Sequence, residues 1–226
     1  MPDNALTHEQ ALQLLTPATR LLVEHMARAK RPPLNSLPAA QARAAHDAAA
    51  GLLDVPPPQL ARVQELQIPT RDGSQIGARL YAPQAQGAAP ALPVLLYFHG
   101  GGFTVGNLAT HDVLCRVLSA QSGAAVISVD YRLAPEHRFP TAVHDAWDAL
   151  AWLVREAGAL GLDGSRIAVG GDSAGGTLAA VTALHARDIG QPLALQLLYY
   201  PGTCAHQSTP SHARFANGPV LTQALI

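Results

Sequence analysis

The feature that most constrains the fold of this 226-residue chain is a repeated alternation of strand and helix patterns. Four apolar runs of strand length, "LPVLLYF", "AAVISVD", "SRIAVGGD" and "PLALQLLYY", are separated by three stretches with helical spacing of apolar residues. A nearly unbroken apolar run is typical of a strand buried on both faces. The sequence therefore predicts an α/β fold, a mostly parallel sheet with helices on both faces.

Shorter elements precede this alternation and suggest where the chain divides. "RVQELQIPT" and "QIGARLYAP" read as two strands joined by a turn at "RDGS". Before them, helical spacing runs from about Thr7 to Lys30, with a kink or a break between two short helices at Pro17, and a second helix ends near Gly51. We predict a helical arm over residues 1–58, a core over 59–202 and a separate segment over 203–226. The arm is either a packing arm or purification remnant, or a lid over a site.

Composition excludes several classes of function. Fifteen basic and sixteen acidic residues give a net charge of −1, without the basic stripe of a nucleic-acid-binding protein. The start of the chain lacks the pattern of a signal peptide, and the longest apolar runs are too short to span a bilayer. The two cysteines, Cys115 and Cys204, lack CxxC spacing, which favours reduced thiols. We predict a soluble cytoplasmic protein with no membrane span.

The pentapeptide Gly171–Gly175, "GDSAG", is a GxSxG sequence between a predicted strand and a predicted helix. This context suits a nucleophile elbow, a tight turn that lifts the Ser173 hydroxyl clear of the sheet. The helix that follows would point its free amides toward developing negative charge. A glycine-rich turn without chemistry is the alternative. A phosphate-binding loop is a weaker one, because no Lys-Ser or Lys-Thr follows.

The stretch "HGGGF", His99–Phe103, follows the strand "LPVLLYF" and strengthens this interpretation. Three consecutive glycines free the backbone so that several amide hydrogens can converge on one point, as in an oxyanion hole. We predict that Gly101 and Gly102, with Gly100 as a further donor, form this hole together with the amide of Ala174. We interpret His99 as a residue that braces the loop rather than as the catalytic base.

These motifs, with "SVDYRLAPEHRFP" from Ser128 to Pro140, resemble the hormone-sensitive-lipase-like branch of the α/β-hydrolases, which is rich in bacterial carboxylesterases. The resemblance covers the chain from about Arg62 onward and implies a serine esterase for short-chain acyl esters. It implies no cofactor and no metal, and it makes the N-terminal helices a cap. It also implies that Asp172, Arg132 and Glu136 organise the site without reacting.

A serine nucleophile needs a base, and in this family the order along the chain is serine, acid, histidine. After Ser173 the only acidic residue is Asp188, roughly 22 Å along the same helix, and His185 shares that helix. His206 and His212 follow the last strand and are poor candidates. We therefore predict that the chain holds neither the triad acid nor its histidine.

The resemblance implies that the acid and histidine follow two further strands, so we expect the last two strand–helix units of the fold to be absent here. Catalysis by Ser173 should then be impaired. "PLALQLLYY" should become an exposed apolar sheet edge, through which the chain could form homo-oligomers. Two alternatives remain open: a non-catalytic or small-molecule-binding protein on a hydrolase scaffold, and a piece of a longer, active enzyme.

Overall fold

The structure of the chain is a computed structural model that describes residues 5–29, 31–204, 206 and 208–223. Its contacts group the chain into two compact units. The larger unit is Ala39–Thr203, and the smaller unit combines Met1–Pro38 with Cys204–Ile226. Each unit is described separately.

A six-stranded sheet forms the centre of the larger unit, in the order β1-β2-β4-β3-β5-β6. The strands β1 and β2 run antiparallel to each other, and β2 runs antiparallel to β4. The strands β4, β3, β5 and β6 are mutually parallel, as the apolar runs predict. The strands are β1 (Arg62–Pro69), β2 (Gln75–Ala82), β3 (Leu92–Phe98), β4 (Ala125–Asp130), β5 (Leu162–Asp172) and β6 (Leu195–Tyr199).

Helices cover both faces of this sheet, so the predicted α/β class is confirmed. Successive side chains of a strand point to opposite faces. In β3, Leu96 and Phe98 enter the core that α5 and α6 complete, whereas Leu95 and Tyr97 face Cys115 of α4. The helices of the unit are α3 (Ala39–Ala49), α4 (Asp112–Ser122), α5 (Thr141–Glu156) and α6 (Ala174–Asp188).

The smaller unit consists of short helices with well-formed N-terminal caps. Thr7 and Gln10 form a capping box on α1, and Thr16 caps α2 with Pro17 in the first turn. Pro17 therefore separates two helices, as predicted. The helices are α1 (His8–Gln13), α2 (Pro17–Arg28), a 3₁₀ helix (Leu34–Ser36) and α7 (Pro210–Arg214).

Four further expectations concern the fold. Cys115 and Cys204 are free thiols, as their spacing predicts. Within the part of the chain that the structure describes, no helix is both long enough and apolar enough to cross a membrane. The strand β6 lies at the edge of the sheet, and self-association along it stays a prediction. The boundaries predicted for the arm, core and last segment also stay predictions, and helix α3 groups by contacts with the larger unit.

Candidate active site

The two glycine-rich motifs lie side by side because their strands are neighbours. Phe98, the last residue of β3, pairs with Gly171 near the end of the parallel strand β5. The segment His99–Phe103 and the turn at Ser173 therefore leave the same edge of the sheet from adjacent strands. The sheet thus brings together the residues that the two motifs contribute.

Ser173 occupies the turn between β5 and α6 in a strained backbone conformation. Its φ of 51° and ψ of −119° lie outside the regions that non-glycine residues normally adopt. Such a conformation costs on the order of 1–3 kcal/mol and persists only where surrounding contacts enforce it. Here the Ser173 N–H donates to the Tyr199 carbonyl at 2.9 Å, and the Ser173 carbonyl accepts from Thr177 at 3.0 Å. These contacts hold Ser173 directly in front of α6.

The glycines beside Ser173 allow the two motifs to approach closely. A Cβ built on Gly171 would collide with the backbone of Phe98 and Gly175. A Cβ on Gly175 would collide with the carbonyl oxygens of Phe98 and His99. The two glycines of "GDSAG" are therefore needed for the close packing between the turn and the end of β3, in addition to being part of the motif.

The triple-glycine segment leaves amide donors without protein partners. Gly101 and Gly102 have φ values of 123° and 57°, which favour glycine. Among the described residues, no hydrogen bond is donated by the N–H groups of Gly101, Gly102 or Ala174. Gly100, which the sequence suggested as a further donor, instead donates to Asp172 Oδ1 at 2.9 Å. That amide is already occupied, so Gly100 anchors the loop.

Asp172 ties the two motifs together through a buried carboxylate. Besides the Gly100 amide, its Oδ1 accepts from Tyr97 Oη at 2.8 Å and lies 3.3 Å from His111 Nε2. Tyr200 Oη lies 3.5 Å from Oδ2. The carboxylate thus joins the ends of β3, β5 and β6 to the start of α4.

The pKa of Asp172 reflects this set of donors. Burial by itself raises the pKa of the carboxyl, but the hydrogen bonds from His111, Tyr97 and Gly100 lower it by more. The net effect lowers the pKa of Asp172 below its ordinary value. The charged carboxylate is therefore the form that the fold stabilises.

His99 is buried directly beside this network. Its Nδ1–H donates to the Gly100 carbonyl at 2.8 Å, its ring stacks on Tyr131 at 4.3 Å, and the Tyr131 hydroxyl donates to the His99 carbonyl. Its Nε2 has no hydrogen-bond partner among the described residues. Burial lowers the pKa of His99 to about 4, so the imidazole is neutral at physiological pH. These contacts hold the ring in place, and the loop-bracing role of His99 stays a prediction.

The neutral His99 predicts a specific loss of stability in acid. Because its native pKa lies below the unfolded value of about 6.5, the unfolded chain takes up the proton first as the pH falls. The free energy of unfolding should therefore drop by about 2 kcal/mol more between pH 7 and pH 5 than it would without this group. Urea unfolding of the His99→Asn variant, which keeps a donor toward Gly100, should show a correspondingly shallower pH dependence. An unchanged pH dependence in this variant would contradict the prediction.

The segment after β4 contacts the triple-glycine loop, and its residues Arg132 and Glu136 form ion pairs. Arg132 forms an ion pair with the buried Asp145 at 2.6 Å and another with Asp72. The Ala134 N–H donates to the Phe103 carbonyl at 2.8 Å, which links this segment to "HGGGF". The organising role of Arg132 stays a prediction.

Glu136 pairs with Arg43, a residue of α3 that sequence reasoning did not single out. The hydrogen bond from Arg43 lowers the pKa of Glu136 to about 2. The same guanidinium donates to the Thr104 and Ala134 carbonyls at 2.9 and 2.8 Å. Arg43 thus connects the loop that contains Thr104 to the segment after β4 that contains Ala134.

Two further histidines of the larger unit, His111 and His185, make contacts with residues other than Ser173. Both ring nitrogens of His111 lie within 3.3 Å of a protein oxygen. His185 stacks on Trp147 at 4.2 Å, well along α6.

Ser173 makes no side-chain capping bond, and among the described residues its hydroxyl has no histidine partner. Asp188 ends α6 in an ion pair with Arg187.

Sequence reasoning also missed Tyr97 and His111, which complete the shell around Asp172. Tyr97 lies inside the apolar run of β3, where a tyrosine reads as one more core residue. His111 stands just before α4 as its N-terminal flanking residue. A polar atom in an otherwise apolar strand was the only available signal, and it does not identify a partner.

Comparison with known proteins agrees with this architecture. A family model described as the alpha/beta hydrolase fold matches residues 95–226. Esterase LipI of Mycobacterium tuberculosis is 51% identical over 161 residues, which are 71% of this chain and 50% of LipI. Ethyl acetate hydrolase of Pseudomonas putida is 43% identical over 192 residues, 84% of this chain and 60% of that enzyme. The chain thus spans only about half to three-fifths of the length of these curated relatives.

Solved structures give the same result. An ester hydrolase from the metagenome of Lake Arreo, in complex with a bipyridine phosphonate derivative, has a TM-score of 0.87 at 42% identity over 94% of this chain and 68% of that one. The hyperthermophilic esterase of Pyrobaculum calidifontis has a TM-score of 0.84 at 39% identity over 93% of this chain and 67% of that one. The chain belongs to the α/β-hydrolase family, in its hormone-sensitive-lipase-like carboxylesterase branch.

Proposed function

We propose that the chain carries the nucleophile and the oxyanion hole of a serine carboxylic-ester hydrolase that acts on small-molecule esters. The observation that carries the proposal is the strained turn at Ser173 beside the amides of Gly101, Gly102 and Ala174, which donate to no acceptor among the described residues. Strain of this kind is typical of functional sites, because stability alone would select glycine at φ 51°. Unpaired donors of a triple-glycine loop suit an oxyanion better than they suit a packing role.

The reaction would proceed through an acyl-enzyme. Ser173 Oγ attacks the carbonyl carbon of the ester, and its proton passes to the departing alcohol. The amide hydrogens of Gly101, Gly102 and Ala174 stabilise the tetrahedral oxyanion, and α6 adds the field of its N-terminus. Water then attacks the acyl-serine and releases the carboxylic acid. Neither a metal nor an organic cofactor is needed in this scheme.

The relatives support the substrate class. Several are named esterases or carboxylesterases, and the Pseudomonas putida relative is named ethyl acetate hydrolase. We therefore propose esters with short acyl chains as the substrates. Cytoplasmic location remains part of the proposal.

We further propose that these 226 residues by themselves hydrolyse esters slowly. His99 is buried and stacked, and His111 is bound through both nitrogens, so neither offers Ser173 a free basic nitrogen in contact. Loss of the base in a serine hydrolase lowers kcat by about 10⁴-fold or more, while the oxyanion hole and substrate binding still contribute. Residual reactivity at Ser173 should therefore be weak but specific.

A fluorophosphonate carrying a reporter group tests the assignment directly. We expect slow, time-dependent labelling of the chain, with the adduct mapped by mass spectrometry to the peptide that contains Ser173. The Ser173→Ala variant should not be labelled, because the nucleophile is gone.

Ser165→Ala is the matched control, since Ser165 lies at the opposite end of β5 and contacts Asp163. This variant should be labelled at the rate of the unaltered chain. No labelling at all, or equal labelling of Ser173→Ala, would overturn the proposal and favour a non-catalytic protein on the hydrolase scaffold.

A further inference from the structure

We propose that His111 is a cationic positioning residue, a doubly protonated imidazolium that holds the Asp172 carboxylate and thereby fixes the triple-glycine loop against the turn at Ser173. The His111 ring makes two polar contacts. Nε2 lies 3.3 Å from Asp172 Oδ1, and Nδ1 lies 2.9 Å from Thr110 Oγ1. A carboxylate only accepts hydrogen bonds, so Nε2 must carry a proton to bind it.

The hydrogen-bond partners of Thr110 determine whether the second nitrogen of His111, Nδ1, carries a proton. Its hydroxyl oxygen accepts from the Asn107 N–H at 3.0 Å and lies 2.9 Å from the Asn107 carbonyl, which can only accept. A hydroxyl has one proton and two acceptor positions. All three of its contacts are satisfied only if the proton goes to Asn107 and Nδ1–H of His111 donates to Thr110. A neutral His111 would leave one of these part-buried contacts unmade.

The surroundings favour a positive charge at this point. Asp172 lies at the end of β5 and faces His111 with a charged carboxylate. The ring of Tyr97, in β3, lies 6.4 Å from the His111 ring, and that of His99, just after β3, lies 5.5 Å from it; both are uncharged. His46, in α3, interacts with His111 electrostatically. The pKa of His46 is lowered, mainly by burial. Asp112 follows His111 in the chain, but it is bound to Arg79 and Arg116.

One oxygen atom, Asp172 Oδ1, connects His111 to the triple-glycine loop. Asp172 Oδ1 accepts from both His111 and the Gly100 amide, the first amide of the triple-glycine segment. A charge-assisted bond orients the carboxylate more firmly than a neutral one. His111 would therefore set the position of the following amides without contacting a substrate. The functional meaning of this position rests on the proposed hydrolase function, but the charge on His111 does not.

Nuclear magnetic resonance of the full chain, labelled with ¹⁵N in histidine, tests the charge. At pH 7.5 both His111 nitrogens should resonate at imidazolium positions, while His99 should show a neutral ring protonated on Nδ1. The His111 signal is assigned by its loss in His111→Gln. In Asp172→Asn we expect His111 to become neutral, whereas Asp163→Asn, at the far end of β5, should leave it charged. A neutral His111 in the unaltered chain would overturn the proposal.

Amide hydrogen exchange tests the positioning role in the same protein. In His111→Gln, the Gly100 amide should exchange at least 10-fold faster, while amides of the paired strands β1 and β2 should keep their rates. Unchanged exchange at Gly100 would show that His111 does not fix the loop. Both readouts are independent of Ser173 reactivity, so a failure of the hydrolase proposal would remain distinguishable.

Discussion

Replacing Gly175 by alanine should prevent the turn at Ser173 from packing against β3 and should destabilise the protein by about 3–5 kcal/mol. The new Cβ would collide with the carbonyl oxygens of Phe98 and His99. Both atoms belong to the backbone, so no side-chain rotation relieves the overlap. The strand end and the helix start would have to separate, which would also separate the two motifs.

Gly158→Ala is the matched control for this prediction. A Cβ at Gly158 has no atom within 4 Å, and the backbone there has no left-handed φ. We expect this variant to unfold in urea within about 0.5 kcal/mol of the unaltered protein. A soluble Gly175→Ala protein with unaltered stability would show that the close approach at this edge has been misjudged.

Replacing Asp172 by alanine should be nearly as damaging, for an electrostatic reason. The substitution removes the acceptor for Tyr97, the Gly100 amide and His111 together. Each buried donor left unpaired costs on the order of 1–3 kcal/mol, and a buried ion pair broken on one side costs about 3–5 kcal/mol. We expect a loss of about 3–5 kcal/mol at pH 7, measured by urea unfolding.

The pH dependence of this loss distinguishes the carboxylate from simple packing. The native pKa of Asp172 is lowered, so its stabilising effect is present above the ordinary value of about 3.9 and is lost as the pH falls through the native value. The difference between Asp172→Ala and the unaltered protein should therefore shrink in strong acid. Asp163→Ala removes a half-buried carboxylate of the same strand, which contacts Ser165 and Arg166, and should cost far less. If Asp172→Ala lowered the free energy of unfolding at pH 7 by no more than Asp163→Ala, the stabilising effect that we assign to the Asp172 carboxylate would be contradicted.

Most of the fold could be predicted from the sequence because its signals are local. Unbroken apolar runs indicate buried parallel strands, Gly123 ends α4 in a left-handed conformation, and Pro17 opens α2. The order of strands could not be read in the same way. Which runs become neighbours depends on tertiary pairing, such as β3 between β4 and β5.

The site divides in a similar way between local and distant information. Ser173 and the triple-glycine segment belong to recognisable sequence motifs because their backbone geometry demands particular residues. The residues that contact and hold them belong to no such motif. Arg43 reaches Glu136 from 93 positions away in the chain, and Tyr97 reaches Asp172 from 75. Polar pairing across such separations leaves no periodicity in the sequence, so the bracing shell emerges only from the fold.

The strain at Ser173 and the bracing around it have a common physical meaning. A residue at φ 51° would relax if its neighbours allowed it, and an array of unpaired amides would collapse onto local acceptors. Asp172, Arg132 and Arg43 connect the surrounding loops to α5, α3 and the strand ends. We expect these connections to hold the turn and the amides in the arrangement that the proposed hydrolase reaction needs.

The crystal structure of the chain after reaction with a fluorophosphonate is the most direct test of whether the hydroxyl and the free amides serve one reacting centre. We predict a phosphorus atom bonded to Ser173 Oγ, with its phosphoryl oxygen about 2.7–3.2 Å from the amide nitrogens of Gly101 and Ala174. A phosphoryl oxygen turned away from both nitrogens, or an adduct on another residue, would contradict the account.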